Sequence, residues 1–444
     1  MRWEQQVQYA SVSDVGFRRK NNQDSSRVNI CPDLETWQAY GHLFLVADGM
    51  GGHAVGELAS KIATDTLPHT YYKTRRDDLR DALKHAIEVA NAAIYERGTQ
   101  NHEFQRMGTT CSALVLSPGG AIIGHVGDSR VYRVRGQRLD QLTFDHSLQW
   151  ELIRQGRVDQ DEVILKEPRH VITRSLGPEA NVEIDMEGPY VVLPGDTFIL
   201  CSDGLTAHVH DPEIGTVAGS LRPAEASRLL VNLANLRGGS DNITAIVVRV
   251  GELPQGVGQL ADDPAKEDHA GLLDWGWLTA YWAIAGTLVL GILIGLFGMG
   301  MLGAIITSVS VVAAGMIVLW WLRNRPKQSP PEVSQVGAET VLWRPYRTAP
   351  AKLETKFLSH LAAVESELQR TASEERWQID WPQHESAYRS AKQSLAGGNH
   401  PAALGSLALA IDVLMAGLHL YRKQVVHERK WGKTPQPTNR PQQA

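Results

Sequence analysis

Forty-eight consecutive residues, Trp275 to Leu322, contain no Asp, Glu, Lys, Arg or His, in a chain of 444 residues of which 21% are charged. A hydrocarbon core about 30 Å thick takes about 20 helical residues, so the run suits two crossings and is too long for one. Glycines interrupt it in FGMGMLG, Phe297 to Gly303, where the turn of a hairpin is expected. Trp275, Trp277, Trp282, Trp320 and Trp321 lie at the two ends of the run, as an aromatic belt on one side of a bilayer would, and Arg323, Arg325 and Lys327 follow directly. On the positive-inside rule that side is cytoplasmic, and a two-span hairpin puts both flanking parts of the chain there. A buried hairpin in a soluble core is the competing reading, but helices of that kind normally carry a polar face.

The run divides the chain. Residues 1–252 carry dense strand and helix signals; 253–273, rich in Gly, Pro and acidic residues, reads as a linker; 274–322 is the hairpin; 323–350 reads as a second linker; 351–430 is helical; and 431–444 is a polar tail expected to be disordered. In the helical part Leu353, Phe357, Leu361, Val364 and Leu368 recur at steps of three or four, as do Leu404, Leu407, Ile411, Leu414 and Leu418. Between them Trp381 to Leu395 leads through Gly397-Gly398-Asn399 into the last helix. That helix-turn-helix is similar to one tetratricopeptide unit, and a small bundle is the equal alternative. A net charge of −5 excludes partners held by broad neutralisation of nucleic-acid phosphate. Three cysteines, Cys31, Cys111 and Cys201, are too few for a disulfide framework and fit a reducing compartment. The opening MRWEQQVQYASVSD has no apolar stretch of the secretory kind.

The chemistry lies in the first part. Apolar runs there (HLFLVAD, AIIGHVG, DTFILCSD, NITAIVVRV) have aspartates at or beside their ends: Asp48, Asp128, Asp203 and Asp241. A carboxylate beside apolar sequence must be solvated, cap a turn or meet a cation. Four such residues with little His or Cys nearby describe an oxygen-only site, which suits Mg²⁺ or Mn²⁺ better than zinc.

These residues stand in an ordered set of motifs. Ser13-Asp14-Val15-Gly16 leads to Arg19 and Asn22-Gln23-Asp24; then follow VADGMGGHAVGELAS (46–60), MGTTCSALVL (107–116), HVGDSRVYRV (125–134), LTFDHSLQWEL (142–152), ITRSLG (172–177), LPGDTFILCSDGLTAHV (193–209) and GGSDNITAIVV (238–248). Over about 240 residues the chain resembles the bacterial PP2C-like (PPM) metal-dependent protein serine/threonine phosphatases. The resemblance implies an α+β, four-layer αββα sandwich with two antiparallel sheets between helical layers and a metal cluster at one end, here followed by two transmembrane helices and an all-α C-terminal domain.

Carried over residue by residue, the resemblance makes Asp48 the carboxylate bridging two central Mn²⁺ or Mg²⁺ ions, with Gly49 adding its backbone carbonyl. Asp203 and Asp241 complete the first ion, and Asp128 with Asp203 holds a third, weaker one. Arg19 clamps the phosphoryl group, a role that suits a planar guanidinium. Asp24 and Asn242 stand just outside the ions. Gln23 departs from the glutamate of many relatives, which implies contact through water or a weaker second ion. His53 lies near the general-acid histidine of eukaryotic relatives, with a polar loop residue as its other reading. His146 and Ser147 read as a hydrogen-bonded turn, Cys111 and Cys201 as core, and Gln149 to Gly177 as a flap over the cleft.

The implied activity is hydrolysis of phosphoserine and phosphothreonine in proteins by metal-activated water, opposing Ser/Thr kinase signalling at the cytoplasmic face, with the lipid bilayer engaged by residues 275–322 and no nucleic acid. The alternative is a pseudophosphatase or membrane scaffold that binds phosphoproteins through the helical part. A binding-only relative would be free to lose its carboxylates, and all four are present.

Overall fold

The computed structural model describes residues 7–51, 53–74, 78–104, 106–154, 171–251 and 344–431, with short helical stretches between 286 and 311. The expected linker 253–273, most of the hairpin, the middle of the flap and nearly all of the tail lie outside the described residues.

Two antiparallel sheets make the centre. The first has the order β1 (Val7–Asp14), β11 (Ile243–Val250), β10 (Thr197–Cys201), β7 (Arg130–Arg135), β8 (Arg138–Gln141) and β12 (Arg347–Pro350). The second has β2 (Asp24–Asn29), β3 (His42–Met50), β5 (Cys111–Ser117), β6 (Gly120–Val126) and β9 (Asp185–Tyr190), with the short β4 (Gly108–Thr109) also on β3. Successive side chains of a strand point to opposite faces, and in β3, β5, β6, β10 and β11 both faces are buried, so these strands read as nearly unbroken apolar runs. On β3, Phe44 and Val46 face the other sheet, where they meet Val131, Phe198, Leu200, Ile246 and Val248. Leu43, Leu45 and Ala47 face outward onto α2 (His53–Lys73) and α3 (Leu79–Gln100).

The outer face of the first sheet is covered by α6 (Asp211–Ser220) and α7 (Pro223–Leu236), numbered after α1 (Leu34–Tyr40), α4 (Leu148–Arg154) and the helical turn α5 (Asp203–Thr206). α7 begins with proline, which suits the first helical turn because its missing N–H has no partner there. It is buried on nearly every side, at Ala226, Leu229, Leu230, Val231, Leu233 and Ala234. A helix apolar all round needs cover on both faces. The second cover is the C-terminal bundle of α8 (Thr355–Glu374), α9 (Trp381–Ala396) and α10 (His400–Trp431). Leu358, Leu361, Leu404, Leu407, Ile411 and Leu414 share one apolar cluster with α6, α7 and the sheet, and Asp412 on α10 accepts from Asn232 (3.2 Å) and pairs with Arg228 (2.9 Å) on α7. Inside the bundle the fully buried Glu365 and His384 bond at 2.6 Å.

Two expectations change. The helical part is one compact unit with residues 1–258 rather than a domain apart; residues 259–341 form the other unit. The expected linker 323–350 ends as a strand: Arg347–Pro350 pairs with β8 and covers the sheet edge. RTAP is short and contains a proline, which edge strands tolerate because the missing donor faces outward, and no alternation marks it in the sequence.

Among the described residues, one helix is long and apolar enough to cross a membrane, His400–Val426, with half of its apolar window buried. Its apolar side is the core of the bundle, and the apolar pattern of α10 is accounted for by that packing. In the 259–341 unit, the described stretches between 286 and 311 are helical, and Ser310 donates to the Thr287 hydroxyl at 3.0 Å.

Candidate metal centre

The strand register brings the aspartates to one end of the two sheets. Asp24, at the start of β2, is paired across the strands with Asp48 near the end of β3. Asp128 follows β6 on the turn into β7, Asp203 follows β10, and Asp241 precedes β11 beside the end of β1, whose Asp14 faces Ile243. Five carboxylates therefore share one region: burial pushes the Asp48 carboxyl well above the usual range, and the charges of Asp24, Asp203, Asp128 and Asp241 push it further. Burial likewise raises Asp24, to about 7, against hydrogen bonds from Thr244 and Ser202, and raises Asp128 well up, with Asp203 and Asp145 adding to it.

The partners of these groups show what they fit. Asp24 Oδ2 accepts from the Ser202 and Thr244 hydroxyls, each at 2.7 Å, while its buried Oδ1 and that of Asp128 meet no donor among the described residues. Like charges held together with bare oxygens fit a hard cation. Among the described residues no three acidic, histidine or cysteine side chains converge closely enough to cage one ion by themselves. A Mg²⁺-like ion does not need such a cage, since it keeps much of its water and takes one or two carboxylates.

Other predicted residues fall around this end. Gly49 donates its N–H to the Gln23 carbonyl at 3.1 Å, and a Cβ on Gly49 would stand 2.0 Å from the Gly56 carbonyl oxygen of α2. The glycines of DGMGGHAVG thus let α2 touch the end of β3, and Gln23 Nε2 packs against Gly56. Asn242 is committed to the main chain: its amide donates to the carbonyls of Val15 (2.9 Å) and Asn21 (3.0 Å) and accepts from Gln23 N–H (2.8 Å), tying the segment that carries Arg19. Arg19 Nη2 lies 2.6 Å from Asp241 Oδ2, with the arginine side chain 48% exposed. His53 opens α2, but its side chain lies outside the described residues. His146 is wholly buried; its Nδ1 accepts from Gly127 N–H at 3.0 Å and its Nε2 meets Asp185 at 3.0 Å, so it fixes the turn that presents Asp128. Ser147 bridges to Ile172, which brings together the two ends of the segment expected to form the flap. Burial pushes the thiols of Cys111 and Cys201 up to about 12, which leaves them protonated core groups.

The hydroxyls were missed from sequence. Thr110 accepts from Asp48 N–H at 2.9 Å and bonds Ser129 at 2.7 Å; with Ser202 and Thr244 it lines the underside of the carboxylates. The signal was a small hydroxyl residue next to an aspartate or at a strand end, as in Cys201-Ser202-Asp203.

Known proteins carry the same arrangement of sequence. The profile of the protein phosphatase 2C family matches residues 18–235. A protein phosphatase 2C-type protein of Streptococcus pyogenes is 39% identical over 240 residues, 53% of this chain and 94% of that protein. Protein phosphatase PhpP of Streptococcus pneumoniae is 35% identical over 252 residues, 55% of this chain and 98% of that protein. The solved S. agalactiae serine/threonine phosphatase is 36% identical with a TM-score of 0.50, covering 55% of this chain and 99% of that one.

Proposed function

The chain belongs to the protein phosphatase 2C family and is a metal-dependent protein serine/threonine phosphatase, and from that premise we propose how its own residues divide the reaction. Asp48 and the Gly49 carbonyl would hold two central Mn²⁺ or Mg²⁺ ions, with Asp203 and Asp241 completing the first and Asp128 joining Asp203 at a third. The observation that carries this reading is the strand register that sets Asp48 across from Asp24, with Asp203, Asp128 and Asp241 close enough for their charges to act on the same carboxyl. When bound, the ions supply charge neutralisation and a water acidified toward neutral pH. Asp24, its Oδ2 pinned by two hydroxyls, keeps Oδ1 for a hydrogen bond from water. Arg19, at the edge of the cluster, receives the phosphoryl oxygens and opposes the charge that grows on them. Its partner in the structure, Asp241, keeps the guanidinium beside the site.

Phosphorylated proteins of a Ser/Thr kinase pathway are the substrates on this reading, and residues 275–322 tether the enzyme to a bilayer with both soluble parts on the cytoplasmic side. The uncharged run supports the tether, as do the exposed Val289, Leu290, Leu293, Leu296, Phe297, Met301, Ile305, Val309 and Val311. The Thr287–Ser310 bond fits as well, since hydroxyl pairs join neighbouring membrane helices and these two residues lie on opposite sides of the glycine-rich FGMGMLG in sequence. The test is hydrolysis of phosphoserine and phosphothreonine peptides by the full chain with Mn²⁺ or Mg²⁺. Full activity in excess chelator, or in Asp203→Asn, contradicts the site; recovery of the chain in the soluble fraction without detergent contradicts the tether.

A further inference from the structure

Arg19 is a long side chain, and its aim depends on the turn beneath it. That turn, Asp14 to Arg19, is held on its inner side by the loop before β11. The N–H groups of Phe17 and Arg18 both donate to the Gly239 carbonyl, at 2.8 and 3.0 Å. Gly16 has φ +77°, and a Cβ there would stand 2.1 Å from the Asp241 carbonyl oxygen, so glycine is required where the turn presses on that loop. The other side of the turn is held by the last helix. Arg422 of α10 donates from Nη2 to the Phe17 carbonyl at 2.6 Å, across 405 sequence positions. Its guanidinium carbon also lies 3.9 Å from the centre of the Phe17 ring. His419, one turn earlier, meets the same ring edge-on at 5.8 Å. The helix that brings these groups is itself anchored through Asp412 to Asn232 and Arg228 on α7, and α7 runs directly into the Gly238-Gly239 loop.

We infer that the C-terminal bundle is part of the phosphate-binding apparatus, with Arg422 as a positioning residue that grips Phe17 by carbonyl and ring and thereby sets Arg19. The inference rests on the reading of Arg19 as the phosphoryl clamp. Phe17 stands two residues before Arg19, so main chain fixed at Phe17 removes freedom that the guanidinium would otherwise lose on meeting phosphate, and preorganisation of that kind favours binding. A cation over an aromatic face plus a charge-assisted bond to the carbonyl holds side chain and backbone together, which neither contact does alone.

A double-mutant cycle on the full chain at saturating Mn²⁺ tests it, with steady-state kinetics on a phosphothreonine peptide for the wild type, Arg422→Ala, Arg19→Ala and the double variant. Arg422→Ala is expected to raise KM about tenfold with a smaller change in kcat, and Arg422→Lys to recover part of the loss. In the Arg19→Ala background, Arg422→Ala should add less than about twofold, because the group it acts through is gone. Arg422→Gln, which retains most of the stem, serves in the same cycle if the alanine variant does not fold. Equal effects in both backgrounds, or an unchanged KM in Arg422→Ala beside an impaired Arg19→Ala, overturn the inference alone. An Arg19→Ala enzyme with wild-type kinetics overturns the clamp reading as well.

Discussion

Two sets of aspartates sit in the same sandwich. Asp140, Asp145 and Asp196 each face an arginine of β7: Arg133 at 2.8 Å, Arg130 at 2.6 Å and Arg135 at 2.8 Å. Asp24, Asp48 and Asp128 face other carboxylates. Asp24 and Asp128 are buried as the first set is, and only Asp48 is partly accessible, so burial alone does not distinguish a structural acid from a functional one. What differs is the sign of the nearest charge. Burial raises the Asp145 carboxyl and Arg130 opposes the rise, whereas at Asp48 every neighbouring charge adds to it. The first set completes its electrostatics within the chain, and the second needs ions from solution.

Substitutions should separate the sets, beginning with the largest effect. Asp48→Asn or Asp203→Asn should lower phosphopeptide hydrolysis by on the order of 10³-fold, the equivalent of several kcal/mol of lost transition-state stabilisation. Without metal, Asp48→Asn should melt no lower than the wild type, because it removes one of a group of like charges. Asp145→Ala should do the reverse: about 3 kcal/mol of stability lost on urea unfolding, since the buried Arg130 loses its close partner and keeps only Asp211 at 3.7 Å, while folded enzyme keeps its metal dependence. A variant of either kind showing the other's signature breaks the comparison.

A smaller effect concerns metal alone. Mn²⁺ at about 100 times its dissociation constant should stabilise the wild type and Asp145→Ala by about 2.7 kcal/mol, measured as a rise in melting temperature, and Asp48→Asn by much less.

Glu187 sharpens the contrast with a third case, a buried acid away from the metal cluster, bonded to the Tyr346 hydroxyl and eased by the charge of Arg80. Burial raises it from its ordinary 4.5 to about 7, against the Tyr346 bond. Between those values the folded chain keeps a proton that the unfolded chain has released, so Glu187's contribution to stability is full below about pH 4.5 and is lost as pH rises through about 7. Glu187→Gln should flatten that part of the stability profile, and an unchanged slope would contradict the assignment.

Much of the site was legible because metal chemistry leaves residue types at strand ends. Asp48, Asp128, Asp203 and Asp241 sit where apolar runs stop, and antiparallel pairing then gathers them at one end. The paired aspartates were not distinguishable in this way, because Arg130, Arg133 and Arg135 crowd one short strand and only the fold shows which acid each one meets. The ring of hydroxyls was hidden for the same reason, since Ser202, just past β10, and Thr244 on the neighbouring β11 are far apart in sequence. The C-terminal helices were legible as amphipathic stripes. Their docking was not, because an apolar stripe names no partner, and α7 reveals its second covered face only when nearly all of its circumference is seen to be buried.

The central claim is that the clustered aspartates bind the divalent ions that hydrolysis requires. Calorimetric titration of Mn²⁺ into the full chain, beside Asp48→Asn, tests this most directly. The account predicts saturable binding of at least two ions by the wild type and loss of the tighter binding in the variant. Equal stoichiometry and affinity in the two proteins would contradict it.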